Sequence, residues 1–317
     1  MATINTVRGA VDTADLGFTL SHEHVITNAA GLARTYPEFI DRQGCIEDGV
    51  SQLTEAHQGG VRSMIDMTTF DLGRDIAMLE EVSRRSGVQI VLTTGTHRYM
   101  PRGFRVASPD ALADLFAREV EEGIEGTGIK AAVIKSASDM GGITPEEEIG
   151  LRAVCRAHNR TGAPIQTHTW SPERVGDQQV AIMEREGVDL TLVCIGHSND
   201  DLDMEYRLGL LNKGVWLGLD RFPGFNISGT PDWEGRAQLV KNLIDAGFGD
   251  KIMLGHDYSV PRGQVTEELR EQRTALNPDG YLFITRRVLP RLKELGVSNS
   301  DIDKVMVQNP RRFLEGR

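Results

Sequence analysis

The stretch KAAVIKSASDMGGITPEEEIGLRAVCRAHNRTGAPIQTHT, residues 130–169, decides the fold. It opens with a short apolar run, KAAVIKS, crosses a polar loop, and enters a helical pattern that starts at Pro145 and stops at Gly162. Proline suits the first turn of a helix, where its missing N–H costs nothing, and glycine suits the residue just past the end. A second apolar run, APIQTHT, follows at once. Strand, helix and strand in this order predict a crossover unit: two parallel strands with the helix packed over them.

The pattern repeats in both directions. Before it lie FTLSHEH, VRSMIDM and VQIVLTT, and after it LTLVCIGH, VWLGLD and DKIMLGHD, which makes eight candidate strands. Helical patterns such as DIAMLEEVSRRSG and PDALADLFAREVEEGI fall between them. Strands rich in Val, Ile and Leu suit a parallel sheet covered by helices. Eight such units in 317 residues predict a closed (β/α)8 TIM barrel. A doubly wound sheet is the alternative, but no glycine-rich fingerprint follows the first strand, and GCIEDG (44–49) is not one. No long linker or charge block divides the chain, so residues 1–317 read as one barrel domain. DYSVPRGQVTEELREQRTALNPDG, residues 257–280, shows no obvious element. A loop of that length is usually functional, often a lid.

Composition narrows the function. A net charge of −11 argues against nucleic acid or an anionic membrane surface as partner, since both select a basic face. There is no secretory pattern at the start and no apolar run long enough to span a bilayer. The three cysteines form no CxxC, which fits a reduced, cytoplasmic setting. A small-molecule substrate is the expected partner.

In a TIM barrel the chemistry sits at the C-terminal ends of the strands. Here those ends carry His22 and His24, Lys135, His168, His197, and His256 with Asp257. Five of the eight histidines are among them. His22 and His24, two apart on an extended backbone, share a face, whereas His256 should point away from Asp257. Four imidazoles and a carboxylate suit one or two borderline divalent cations such as zinc. Lys135 leaves two readings open: a lysine reaching past the rim into water, or one carboxylated by carbon dioxide to a bridging carbamate. His57 and His158 fall in helical patterns and read as surface or packing residues. His97 lies just beyond the third strand.

Taken together, LSHEHV, GIKAAVIKSASD, GAPIQTHTWSPERVGDQQ, LVCIGHSNDDLDMEY, LGLDRF, IMLGHDYS and VMVQNPRRFLEG resemble the phosphotriesterase family of the amidohydrolase superfamily, including its lactonase-like members. The resemblance implies a binuclear centre at the C-terminal face, with zinc or cobalt, manganese or iron, and a homodimer. His22, His24 and Asp257 would hold one ion, His168 and His197 the other, with a carbamate on Lys135 between them. LGLDRF resembles lactonase-like members in placing Arg221 after Asp220. At the third strand the chain departs from the family: His97 stands where lactonases usually have tyrosine and phosphotriesterases tryptophan. Tyr99 follows, and Arg98, Arg102 and Arg105 replace an apolar stretch, which points to a smaller or anionic substrate.

The expected reaction is hydrolysis of a lactone or carboxylic ester by a metal-bridging hydroxide, with phosphotriester or amide hydrolysis as the alternative. Asp257 would accept the proton. His97, with Tyr99 beside it, could return one to the leaving group, and Arg221 either orients substrate or pairs with Asp220.

Overall fold

Eight parallel strands form the sheet at the centre of this computed structural model, which describes residues 2–264 and 266–316. A hairpin, β1 (Thr3–Thr6) and β2 (Gly9–Asp12), precedes them. The barrel strands are β3 (Thr19–Glu23), β4 (Ser63–Asp66), β5 (Gln89–Gly95), β6 (Val133–Ala137), β7 (Ile165–His168), β8 (Val193–Ile195), β9 (Trp216–Leu219) and β10 (Ile252–Leu254). Each pairs in parallel with its sequence neighbour, from β3 through to β10. Six lie within the predicted runs, and β5 and β6 extend one residue past theirs, to Gly95 and Ala137. The helix Pro145–Thr161 has the predicted ends, with Gly162 in the left-handed conformation after it. GCIEDG lies inside the helix Arg42–Gln58, so its glycines form no phosphate loop.

No ladder joins β3 to β10, and a few specific bonds close the barrel at this seam. The Ser21 hydroxyl donates to the Leu254 carbonyl at 2.9 Å, and Asp257 N–H donates to the His22 carbonyl at 3.0 Å. Glu23, the acid between the two histidines, accepts from His256 N–H at 2.8 Å, from Tyr258 N–H at 3.2 Å and from His256 Nδ1 at 2.7 Å. His256 Nε2 accepts from Ile284 N–H at 3.0 Å, which makes this histidine a structural residue.

Period-2 alternation then sorts the side chains. Leu20, Ile90, Leu92, Ile134, Ile165 and Leu217 face outward into the layer beneath the helices. Ile65, Val91, Val133, Cys194, Trp216 and Met253 face inward and pack with Ile4, Leu16, Phe313 and Leu314. That inner cluster is a stopper at one end of the barrel. The hairpin and the last helix, Asn309–Glu315, supply its outer part. One further departure from the sequence reading lies after β10. The stretch 257–280 contains a 3₁₀ turn, Pro261–Gly263, and a helix, Glu267–Leu276, whose N-terminus is capped by the Thr266 side chain.

Candidate metal centre

At the opposite end of the barrel, the same alternation turns polar side chains inward. His22 and His24 come from the end of β3 with ring centroids 5.6 Å apart. His168 ends β7, and His197 follows β8, with its Nε2 2.8 Å from His168 Nδ1. Asp257, beyond β10, reaches His24 Nε2 at 3.2 Å, His22 Nε2 at 3.5 Å and His197 Nε2 at 3.7 Å. His197 and Asp257 both take positive φ, 55° and 54°. A non-glycine residue pays about 1–3 kcal/mol for such a backbone, and such strain concentrates at functional sites.

Two carboxylates outside this group orient it. Asp220 accepts from His22 Nδ1 and His197 Nδ1, each at 2.9 Å, and so leaves both Nε2 atoms aimed at the centre. Asp139 takes His168 Nε2 at 3.1 Å and so turns Nδ1 inward. The His24 Nδ1 contact is the Thr68 hydroxyl, at 2.8 Å. Fixing one ring nitrogen to present the other is how metal-binding histidines are usually held. Glycine is required beneath Asp220: a Cβ on Gly218 would stand 2.5 Å from its Oδ2.

The electrostatics match. Burial pushes His24 down to about 4, against the opposing pull of Asp257. Burial also holds His168 and His197 below the usual imidazole range, with the neighbouring His197 acting on the first and Arg221 on the second. For Asp257 burial acts upward, but His197, His24, His22 and Arg221 outweigh it and hold the carboxyl well below its usual range. At neutral pH His24, His168 and His197 are therefore neutral and Asp257 is anionic, the forms that bind a cation. His22 Nε2 is buried with no hydrogen-bond partner, a costly state that a cation would relieve. The donor atoms of His22, His24 and Asp257 lie within 4.8 Å of one another. The residues present fit a divalent ion.

Lys135 is 1% exposed, so the reading of a lysine reaching past the rim into water is wrong. Its Nζ donates to the Met67 carbonyl at 3.0 Å, and burial pushes its pKa down to about 8. The other expected residues divide. His97 lies in the cavity wall, its ring 5.0 Å from that of His168. Burial holds its pKa well below the ordinary value, and Lys135 adds to this, so near pH 7 it is a neutral imidazole with a single N–H rather than an imidazolium acid. Arg221 pairs with Asp200 and with Asp257 (3.2 Å), not with Asp220. Tyr99 is 76% exposed and does not line the cavity. Arg102 and Arg105 are exposed as well, whereas Arg98 lines the cavity and pairs with Asp139 at 2.6 Å. The cavity measures about 320 Å³ and is walled mainly by polar groups, with Leu72 and Phe225 its apolar members.

Sequence reasoning gave no role to Asp139, Asp200 or Glu23, and linked Asp220 only to Arg221. For Asp139 a signal existed, since Lys135, Ala137 and Asp139 keep the period of two. His57 lies on the helix Arg42–Gln58, and His158 Nδ1 bonds the Ala163 carbonyl at 2.8 Å, both as expected.

Known proteins resemble this chain. The phosphotriesterase homology protein of Mycobacterium tuberculosis is 39% identical, over 99% of this chain and 98% of its own. A solved structure titled as the phosphotriesterase from that organism superposes with a TM-score of 0.91, covering 99% of this chain and 98% of the other at 37% identity. An aryldialkylphosphatase of Saccharolobus solfataricus is 33% identical over 97% of this chain and 98% of its own. An N-acetyltaurine hydrolase of Dictyostelium discoideum is 26% identical over 85% and 73%. The phosphotriesterase family as a whole matches residues 2–314. With its (β/α)8 barrel and its inward-facing histidines and aspartate, the chain belongs to the phosphotriesterase family of metal-dependent hydrolases.

Proposed function

We propose that the protein is a binuclear metal hydrolase that opens small lactones or cleaves carboxylic esters. The observation that carries this reading is the donor set itself: His22, His24, His168, His197 and Asp257 converge, and the buried Nε2 of His22 has no hydrogen-bond partner. His22, His24 and Asp257 would hold one ion and His168 and His197 the other, with zinc the first candidate and cobalt, manganese or iron as substitutes. Lys135 would join the pair as a carbamate. Its amine is buried, and its lowered pKa raises the fraction of neutral amine that can add carbon dioxide and release a proton. Bound ions would supply an acidified water as nucleophile and polarise the substrate oxygen.

The chain's own groups do the rest. Asp257 is 13% exposed toward the cavity and placed to take the proton of an attacking water. Arg221 braces Asp257 and is itself held by Asp200. His97, neutral at pH 7, would donate a hydrogen bond to a developing alkoxide or relay a proton. A cavity of about 320 Å³ with few apolar walls favours a short acyl group over a long tail. The same centre would serve phosphotriesters or N-acyl compounds, a second reading favoured by the relatives named aryldialkylphosphatase and N-acetyltaurine hydrolase. We further propose a cytoplasmic homodimer; among the described residues no helix is long and apolar enough to cross a membrane.

A panel of lactones, aryl esters, N-acyl amino acids and an aryl phosphotriester on one metal-replete preparation tests the choice. Short lactones or esters should give the highest kcat/KM. A dominant N-acyl amino acid turnover would overturn the leading reading in favour of an amidase.

A further inference from the structure

Three arginines line the cavity, and two of them are neutralised. Arg98 pairs with Asp139, and Arg221 with Asp200 and Asp257. Arg273 has no carboxylate partner among the described residues. The sequence explains why. On the helix Glu267–Leu276 the positions three and four residues from Arg273 are Leu269, Arg270, Leu276 and Asn277, none of them acidic. The glutamates of that helix lie at spacings that face elsewhere. The Arg273 side chain is half-buried and lines the same cavity as His97, Asp257 and Ser259. Its guanidinium lies 5.3 Å from the centroid of Phe225, and that of Arg221 lies 5.2 Å from the same ring. Stacking on the ring orients a cation without spending its hydrogen-bond donors on a carboxylate.

We propose that Arg273 binds an acid group, a carboxylate or sulfonate, on the substrate, and that the enzyme prefers esters carrying one. This rests on the hydrolase reading above, because the cavity wall that holds Arg273 also holds Asp257. The chain carries a net charge of −11, a field that repels acids. An unpaired guanidinium inside the cavity reverses that preference locally, and its planar donor fork matches an oxyanion bidentately. The helix that delivers it follows β10, so the acid group is read by the segment covering the site rather than by the barrel.

The test compares charged and neutral partners in two pairs: 4-nitrophenyl hemiglutarate against 4-nitrophenyl pentanoate, and acetoxyacetate against acetoxyacetamide. The first pair places the acid on the acyl side, the second on the alcohol side. The metal-loaded wild type should prefer the acid member of at least one pair. Arg273→Met should cut that acid-to-neutral ratio of kcat/KM at least tenfold, mainly through KM, and Arg273→Lys should restore part of it. A ratio unchanged by Arg273→Met in both pairs, or wild-type preference for the neutral member in both, would overturn the proposal. If the loaded wild type hydrolyses none of the four, the ester-hydrolase reading fails by itself. Calorimetric titration with glutarate then decides the binding claim. Affinity at least tenfold weaker in Arg273→Met supports it, and equal affinity overturns it.

Discussion

Strand β6 turns Val133 into the barrel and, two residues later, Lys135; β10 turns in Met253 and, four residues later, Asp257. β9 likewise presents Trp216 first and Asp220 last. One end of the interior is thus an apolar stopper in which Trp216 and Phe313 meet at 5.9 Å. The other end concentrates imidazole, carboxylate and ammonium groups that are buried or, like Asp257, open only to the cavity. The strands, their alternation and their burial are common to both ends. What differs is whether a side chain gains from leaving water or is held there at a cost. The stopper contributes stability through apolar burial. The polar end is a strained and desolvated arrangement that the rest of the barrel keeps in place, as is usual where function resides.

Substitutions should separate the two ends. The largest effect is expected from His22→Ala or Asp257→Asn, which should lower kcat/KM by roughly 10³-fold. Circular dichroism should still show a folded barrel, because these residues belong to the rim. Asp220→Asn should come next, with metal affinity and activity reduced by about 10–100-fold, since it orients both His22 and His197. Equilibrium dialysis against a metal buffer reads this directly. Wild-type affinity in that variant would contradict the orienting role.

Trp216→Ala should do the opposite. Truncating this fully buried ring should cost about 3–5 kcal/mol of stability in denaturant titrations. The variant should keep near-wild-type kcat/KM at low temperature, and a large loss there would couple the two ends more tightly than the layered interior implies.

Acid should distinguish the ends more gently. His24 takes up its proton near pH 4 in the fold but near 6.5 when unfolded. Between those values the unfolded chain binds more protons, so stability is fully present above pH 6.5 and is lost as pH falls through 4. The shift corresponds to about 3 kcal/mol at most. Urea titrations of metal-free protein from pH 7 to 4 should show this fall. A flat profile would mean that His24 is already protonated in the fold or is solvated there.

Much of this contrast was legible in the sequence. Parallel barrel strands are buried on both faces, so they read as apolar runs, and a histidine at the end of such a run stands out. The histidines and the aspartate that gather at the polar end followed from that and from the order of the motifs. Groups acting across the fold were harder to see. Asp220 reaches His22 across 198 residues, and Glu23 fastens a seam to residues more than 230 positions away, and neither link leaves a periodic trace. The helix Glu267–Leu276 escaped notice because it buries none of its residues and so has no apolar stripe. Tyr99, Arg102 and Arg105 were misplaced because the chain beyond β5 is irregular, where no period says which way a side chain points.

The central claim is that the polar end holds two ions joined through a carboxylated Lys135. Elemental analysis of active protein, reconstituted in bicarbonate and freed of unbound metal, tests it most directly when paired with Lys135→Ala. The account expects close to two divalent ions per chain in the wild type, and loss of most metal and activity in the variant, with partial rescue by formate or acetate. One ion or none in fully active wild type, or a variant that keeps both ions unaided, would contradict it.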